Sequence, residues 1–223
     1  MKRTLILSIA TLAFAVSPAL AQDRTRSSTT DATSKPVDSS IIVLYYKPTY
    51  PFTVDLATSK PLPEKPIEYV KEGKLFRLGE ETSKAVIDAD VAGYAKKIED
   101  EVIRQQKPTY PLKTSAISDK PLGDKPIDKV HANRLFRLAD EADAKAFDTD
   151  KTKAIAKLDK AYIDMQLPYY PYKKDPVSKE DIAGKETVKY LWGNKLIQFT
   201  SQTSVAEFEK TPETYLKTLE TLK

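Results

Sequence analysis

The sequence predicts an α+β protein of three tandem small modules, each an extended proline-rich lead-in, a β-hairpin and one or two helices. Three observations predict it. "KPTYP" fills Lys47–Pro51, returns letter for letter at Lys107–Pro111, and returns as "LPYYP" at Leu167–Pro171. "KLFRL" at Lys74–Leu78 becomes "RLFRL" at Arg134–Leu138 and "KLIQF" at Lys195–Phe199. "SKPLPEKPIEYV" (Ser59–Val70) is matched in order by "SDKPLGDKPIDKV" (Ser118–Val130). A fixed period over several motifs marks one structural unit copied in series. The units are residues 41–106, 107–166 and 167–223, with one inserted residue in the third.

Two segments precede them. Lys2 and Arg3, the apolar run Leu5–Val16 and the small residues Ala19 and Ala21 read as a secretory signal peptide, residues 1–21. The run is too short to span a bilayer. Cleavage after Ala21 leaves no integral membrane segment, and a lipid anchor is excluded because the chain has no cysteine. Export to the periplasm is expected, with secretion beyond it the alternative. Residues 22–40 hold nine Ser or Thr in nineteen positions and read as a flexible linker. "IIVLYY" at Ile41–Tyr46 follows, and its periodicity fits a strand or the last turn of a helix equally.

Within each unit the elements follow in order. The prolines of "KPTYP" fix φ and bias their predecessors toward extended geometry, so Pro48–Pro51 is expected to be a stiff extended lead-in anchored by Tyr50. After a Pro-rich loop, "EYVKEGKLFRL" alternates apolar and polar about Glu72-Gly73, with Ala132-Asn133 and Gly193-Asn194 as counterparts. Gly and Asn tolerate the positive φ of two-residue hairpin turns. The two asparagines therefore read as backbone residues, without a binding role. Glu80–Ile87, Asp140–Phe147 and Ser201–Phe208 read as short helices. Asp90, Asp150 and Thr211 read as N-caps of second helices. These carry apolar stripes: Val91, Tyr94, Ile98 and Val102; Ile155, Leu158, Tyr162 and Met165; Tyr215, Leu216, Leu219 and Leu222.

Composition excludes several classes of function. Removing Lys2 and Arg3 from 36 basic residues leaves 34 against 32 acidic ones, a formal +2 and no footprint for nucleic acid. The absence of cysteine removes thiol nucleophiles, thiolate metal sites and disulfides. No Gly-rich phosphate loop or paired-His metal motif occurs. His131, the single histidine, is expected to be exposed beside its turn, where Lys71 and Trp192 stand in the other units. It is not assigned catalysis, and the protein is read as no enzyme and as needing no cofactor.

The motif order resembles the TRASH/YHS-like family of small zinc-knuckle modules. "YPLKTSAISDKPLG" (Tyr110–Gly123) is similar to that family's opening, and "IQFTSQTSVAEFEKTPETYLKTL" (Ile197–Leu219) to its closing half. The resemblance covers all three units and implies a treble-clef or zinc-knuckle-like module. The ligands are gone. At the first cysteine position stand Asp55, Ser115 and Asp175. At the adjacent pair stand Gly79-Glu80, Ala139-Asp140 and Thr200-Ser201. At the last stand Ser83, Asp143 and Ser204. A structural zinc contributes roughly 10–16 kcal/mol to a small finger. Its loss must be offset by burial of residues such as Phe76, Phe136, Phe147, Phe199 and Phe208, worth about 1.5–3 kcal/mol each. A metal is therefore not expected. The alternative is hard-cation binding by oxygens of Asp55, Glu80, Ser83, Ser115, Asp140, Asp143, Asp175, Thr200 and Ser204. Trp192 with Tyr169, Tyr170 and Tyr172 could stack on a partner. The expected function is a non-enzymatic binding or scaffold module engaging another envelope protein or polymer.

Overall fold

A two-residue reversal needs backbone in the left-handed region, and the sequence supplies it three times. Glu72 and Gly73 have φ of +50° and +69°, Ala132 and Asn133 +49° and +53°, and Gly193 +63°. The structure, a computed structural model, describes residues 37–219 and Thr221. The reversals join β1 (Ile67–Lys71) to β2 (Lys74–Leu78), β3 (Ile127–His131) to β4 (Arg134–Leu138), and β5 (Val188–Trp192) to β6 (Lys195–Phe199). All three hairpins share one register, with Ile67 opposite Leu78, Ile127 opposite Leu138 and Val188 opposite Phe199. Each is a separate two-stranded antiparallel sheet. Such a sheet is marginal alone in water, so helices must cover it.

Seven α-helices do so among the described residues: α1 (Ser39–Tyr46), α2 (Ser83–Ala89), α3 (Val91–Gln106), α4 (Glu141–Thr149), α5 (Thr152–Gln166), α6 (Gln202–Lys210) and α7 (Pro212–Leu219). The chain is an α+β protein of three hairpin-and-helix modules. "IIVLYY" lies in α1, whose N-cap Asp38 accepts a hydrogen bond from Ser40 N at 2.9 Å. Ordered structure therefore begins inside the segment read as linker. The signal peptide and the linker through residue 36 lie outside the described residues.

The lead-ins divide in two. Lys47–Thr49, Lys107–Thr109 and Leu167–Tyr169 each form one 3-10 turn that carries on from the preceding helix, and extended backbone starts at Tyr50, Tyr110 and Tyr170. Proline fits the second position because its φ suits a helical turn and its missing N–H is not needed there. Each tyrosine N–H closes the turn on the carbonyl three residues back.

The helix stripes mostly face inward as expected. Val91, Ile98 and Val102 of α3 pack with Phe76, Leu78 and Ile87, and Ile155, Leu158 and Tyr162 of α5 pack with Phe136, Leu138 and Phe147. Met165 departs from expectation and is 46% exposed. At that level of α5 the inward position belongs to Gln166, one residue further round the helix, which hydrogen-bonds the third hairpin.

The modules interlock through their helix ends and hairpin tips. Gln106 at the end of α3 accepts from Leu135 N at 3.0 Å and donates to Asn133 O at 2.8 Å. Gln166 at the end of α5 repeats this with Leu196 N and Asn194 O, at 3.0 and 2.8 Å. Each tip also reaches one helix further back. Asn133 Nδ2 donates to Tyr46 O at 2.9 Å, and Asn194 Nδ2 to Gln106 Oε1 at 3.1 Å. Arg134 Nε donates to Asn194 Oδ1 at 2.9 Å, joining the second and third tips. Apolar side chains cross with them: Ala132 packs on Ile42, Tyr46 and Leu75, and Leu191 and Leu196 complete the core around α5. An ion pair between Lys47 and Glu213 ties α7 to the first module.

Candidate functional site: the three knuckle loops

Between lead-in and hairpin each module forms a tight loop, closed by an isolated antiparallel bridge: Val54 with Pro61, Thr114 with Pro121, Lys174 with Asp181. The residue beginning the loop is the one at the family's first cysteine position, and it is fully buried each time. Asp55, Ser115 and Asp175 are all 0% exposed. A buried carboxylate is costly unless its lone pairs are filled. Here they are filled by the loop, the hairpin exit and the short helix.

Asp55 Oδ1 accepts from Ala57 N at 2.8 Å, while Oδ2 accepts from Gly79 N at 2.7 Å and from the Ser83 hydroxyl at 2.6 Å. Asp175 Oδ1 accepts from Val177 N and Ser178 N at 2.7 and 3.1 Å, and Oδ2 from Thr200 N and the Thr200 hydroxyl at 2.7 and 2.9 Å. The second module exchanges the partners. Ser115 begins its loop, and the carboxylate comes from Asp143 on α4, 5% exposed. Asp143 bonds the Ser115 hydroxyl and accepts from the Ser118 hydroxyl at 2.7 Å. Lys157 Nζ donates to Ser115 O and Ser118 O, closing that loop from α5. Burial pushes the pKa of Asp55, Asp143 and Asp175 upward, but the hydrogen bonds outweigh it and hold all three below the ordinary carboxylate value.

A hydrogen-bonded carboxylate thus ties each loop to the rest of its module: Asp55 to both hairpin exit and short helix, Asp143 from the short helix, and Asp175 to the hairpin exit. The first and last positions alternate as Asp55 with Ser83, Ser115 with Asp143, and Asp175 with Ser204. In the third module Ser204 instead bonds Ser201, and Thr200 supplies the hydroxyl to Asp175. The alternation is legible in the sequence once the three copies are aligned. It is the signal for one negative charge per loop.

Of the remaining candidate oxygen donors, Thr200 already lies in a buried cluster, donating to Asp175, and Asp140 shares Lys120 with Asp143. Glu80 is exposed and does not begin α2, which starts at Ser83. Asp140 N-caps α4 through Asp143 N at 2.9 Å and pairs with Lys120 at 2.7 Å. Ser201, rather than Thr200, caps α6. Among the described residues no three His, Asp or Glu side chains gather as a metal site would require.

A second buried network spans each module. Tyr50, Tyr110 and Tyr170 accept the backbone N–H of Arg77, Arg137 and Gln198 at 3.3, 3.0 and 2.9 Å. Burial pushes each phenol up to about 12. These tyrosines lock the lead-in to the hairpin.

The aromatic group proposed to stack on a partner is not a single surface. Trp192 stands edge-on to Phe208 with ring centroids 5.5 Å apart, and Tyr172 is buried beside Tyr170, centroids 5.4 Å apart. Tyr169 alone projects, 84% exposed. His131 is 6% exposed, not exposed as expected, because its tip is covered by neighbouring modules. His131, Arg134, Tyr45 and Trp192 line a cleft of about 20 Å³, room for about one water. Sequence reasoning missed Gln106, Gln166 and Arg134. The glutamine recurring immediately before the KP or LP dipeptide was the available signal.

Comparison with known proteins finds no matching family model, curated protein or solved structure. No helix among the described residues is long and apolar enough to cross a membrane.

Proposed function

We propose that the chain is an exported, non-enzymatic scaffold of three TRASH/YHS-like modules that no longer use metal, engaging another protein or polymer of the cell envelope. One observation carries the reading. In all three modules the positions at which that family holds its metal are occupied by a buried carboxylate saturated by its own chain. The donors that would take a cation already accept hydrogen bonds from the loop, the hairpin exit and the helix. Recognition is left to the surface. The leader supports the envelope as the place of work, and the near-balanced charge argues against nucleic acid.

The test is affinity capture from an envelope fraction with the tagged, exported chain, alongside calorimetric titration with zinc and calcium. A stoichiometric protein or glycan partner and no metal heat are expected. Copurifying metal at one or more ions per chain would overturn the reading in favour of the oxygen-ligand alternative.

A further inference from the structure

The second hairpin tip carries a buried nitrogen that the fold does not use. Lys74, Arg134 and Lys195 each follow the reversal at the same register in the three hairpins. In the first module the cation pairs with the long helix, Lys74 with Glu99 at 2.7 Å. Arg134 makes the equivalent pair with Asp159 through Nη1, also at 2.7 Å. A lysine is enough for such a pair. A guanidinium has several N–H groups in a fixed fork, so arginine at this place brings donors that the pair leaves over. Nε is taken by Asn194 Oδ1. Nη2 is buried, and no group among the described residues accepts from it. Arg134 as a whole is 5% exposed, so water outside the protein cannot serve it. A buried charged donor without an acceptor is costly and calls for an explanation.

That arginine is part of the wall of the cleft where all three modules meet. Tyr45 and Pro48 come from the first module, His131 from the second tip, and Tyr190 and Trp192 from the third hairpin. The free volume of about 20 Å³ admits a solute the size of one water. The chemistry of the walls chooses between candidates. A buried water is held by about two to four hydrogen bonds, with donors and acceptors both in use, whereas these walls are mainly ring and aliphatic carbon. A small anion needs donors alone, finds its strongest one in a guanidinium N–H, and packs well against the electropositive edges of aromatic rings. A cation is repelled by the same guanidinium. Sulfate and larger anions exceed the space. Asp159 already shares the charge of Arg134, so the site discriminates by size and holds its ion weakly.

We propose that this cleft is a binding site for one small monovalent anion of halide size, held by Arg134 Nη2. The anion joins the first helix, the second tip and the third hairpin at one point. It therefore acts as a diffusible part of the interlock between modules. The site is separate from the three knuckle loops and uses none of their carboxylates.

The only tryptophan of the chain stands in the wall and reports the site directly. The natural exported chain is titrated with bromide at constant ionic strength, balanced by gluconate, while Trp192 emission is recorded. Bromide held beside an indole quenches it, so a saturable fall is expected, reversed by chloride and untouched by sulfate. The chloride NMR line should be broadened by the protein and narrow again when bromide is added. Arg134→Lys installs the residue of the other two modules, keeping a cation for Asp159 while deleting Nη2. Leu44→Phe narrows the cleft from α1 without touching Arg134, and keeps the question decidable if the arginine variant does not fold. In each variant the saturable quenching and the broadening should fall at least tenfold. Quenching that rises linearly with bromide and ignores chloride overturns the proposal. So does a saturable signal that both folded variants retain. Neither result bears on capture of an envelope partner or on heat from added metal.

Discussion

Replacing Asp55 with alanine removes the acceptor for two backbone N–H groups and one hydroxyl. Ser83 can turn its hydroxyl toward another acceptor, but the N–H groups of Ala57 and Gly79, held at 2.8 and 2.7 Å, are fixed by the loop and the hairpin exit. A buried donor left unmade costs about 1–3 kcal/mol, so the pair costs about 2–6 kcal/mol. For a domain of this size, at about 2–4 °C per kcal/mol, that is a fall in Tm of about 4–24 °C. Urea unfolding monitored by far-ultraviolet circular dichroism measures the free energy, and a thermal melt the Tm. The informative companion is the exchange Asp55→Ser with Ser83→Asp, which writes the second module's Ser115–Asp143 arrangement into the first. It should recover at least half of what Asp55→Ser alone loses, because the carboxylate returns to the same cluster from the helix side. If Asp55→Ala stays within about 0.5 kcal/mol of the natural protein, the usual range for a surface change, the carboxylate is not what secures the loop. If the exchange is no better than Asp55→Ser, the two positions are not equivalent carriers of one charge.

The depressed pKa values of Asp55, Asp143 and Asp175 give a directed pH dependence. Their stabilisation is fully present above the ordinary value of 3.8 and is lost as pH falls through the lower folded-state values, so the urea midpoint should drop as pH falls below 3.8. The tyrosines act at the other end. With Tyr50, Tyr110 and Tyr170 raised to about 12, their contribution is complete below pH 10 and disappears as pH rises through 12. Ultraviolet titration should therefore show a late class of three phenols ionising together with unfolding. Asn133→Gly keeps a residue free to hold φ of +53° but deletes the bond to Tyr46 O. A loss of about 1 kcal/mol in urea is expected, as for one hydrogen bond, whereas a purely backbone role predicts no loss.

How much could be read from the chain differs by element. The sixty-residue spacing placed the modules, and alternation about Glu72-Gly73 and its copies placed the hairpins, because both patterns are local and periodic. "IIVLYY" was ambiguous because six apolar residues carry no period, and its helical form depends on Leu75 and Ala132 being there to pack against. The lead-in turn was missed because proline's φ serves a 3-10 turn as well as an extended strand. The carboxylate positions were found through the family pattern, but their role was not, since it rests on backbone donors that no side-chain motif reveals. Asn133 and Asn194 show the same limit. Their place at the reversal follows from conformational preference, while their side chains bond helix ends 87 and 88 residues away in sequence.

On the proposed reading, these features account for how small modules would stand without a metal at their centres. A zinc ion holds a knuckle by binding several segments at one point, which is long-range cross-linking. The buried carboxylate does this within a module, joining a loop at residue 57 to a turn at 79 and a helix at 83. It cannot match the ion's full contribution, because hydrogen bonds to a charge are worth about 1.5–3 kcal/mol each in net terms. The remainder has to come from neighbours, and the interlock is where neighbours contribute. Gln106 bonds the second hairpin and the third tip at once, and α5 buries its stripe against its own phenylalanines and the next module's leucines. It follows that the modules are not separable. A single unit cut out at residues 107–166 would lose the cover of Gln106 and Tyr46 on its hairpin, and with it Leu191 and Leu196 over α5. Expressed alone it should give little secondary structure by circular dichroism, whereas a cooperatively melting fragment would show that the carboxylate and the module's own core suffice.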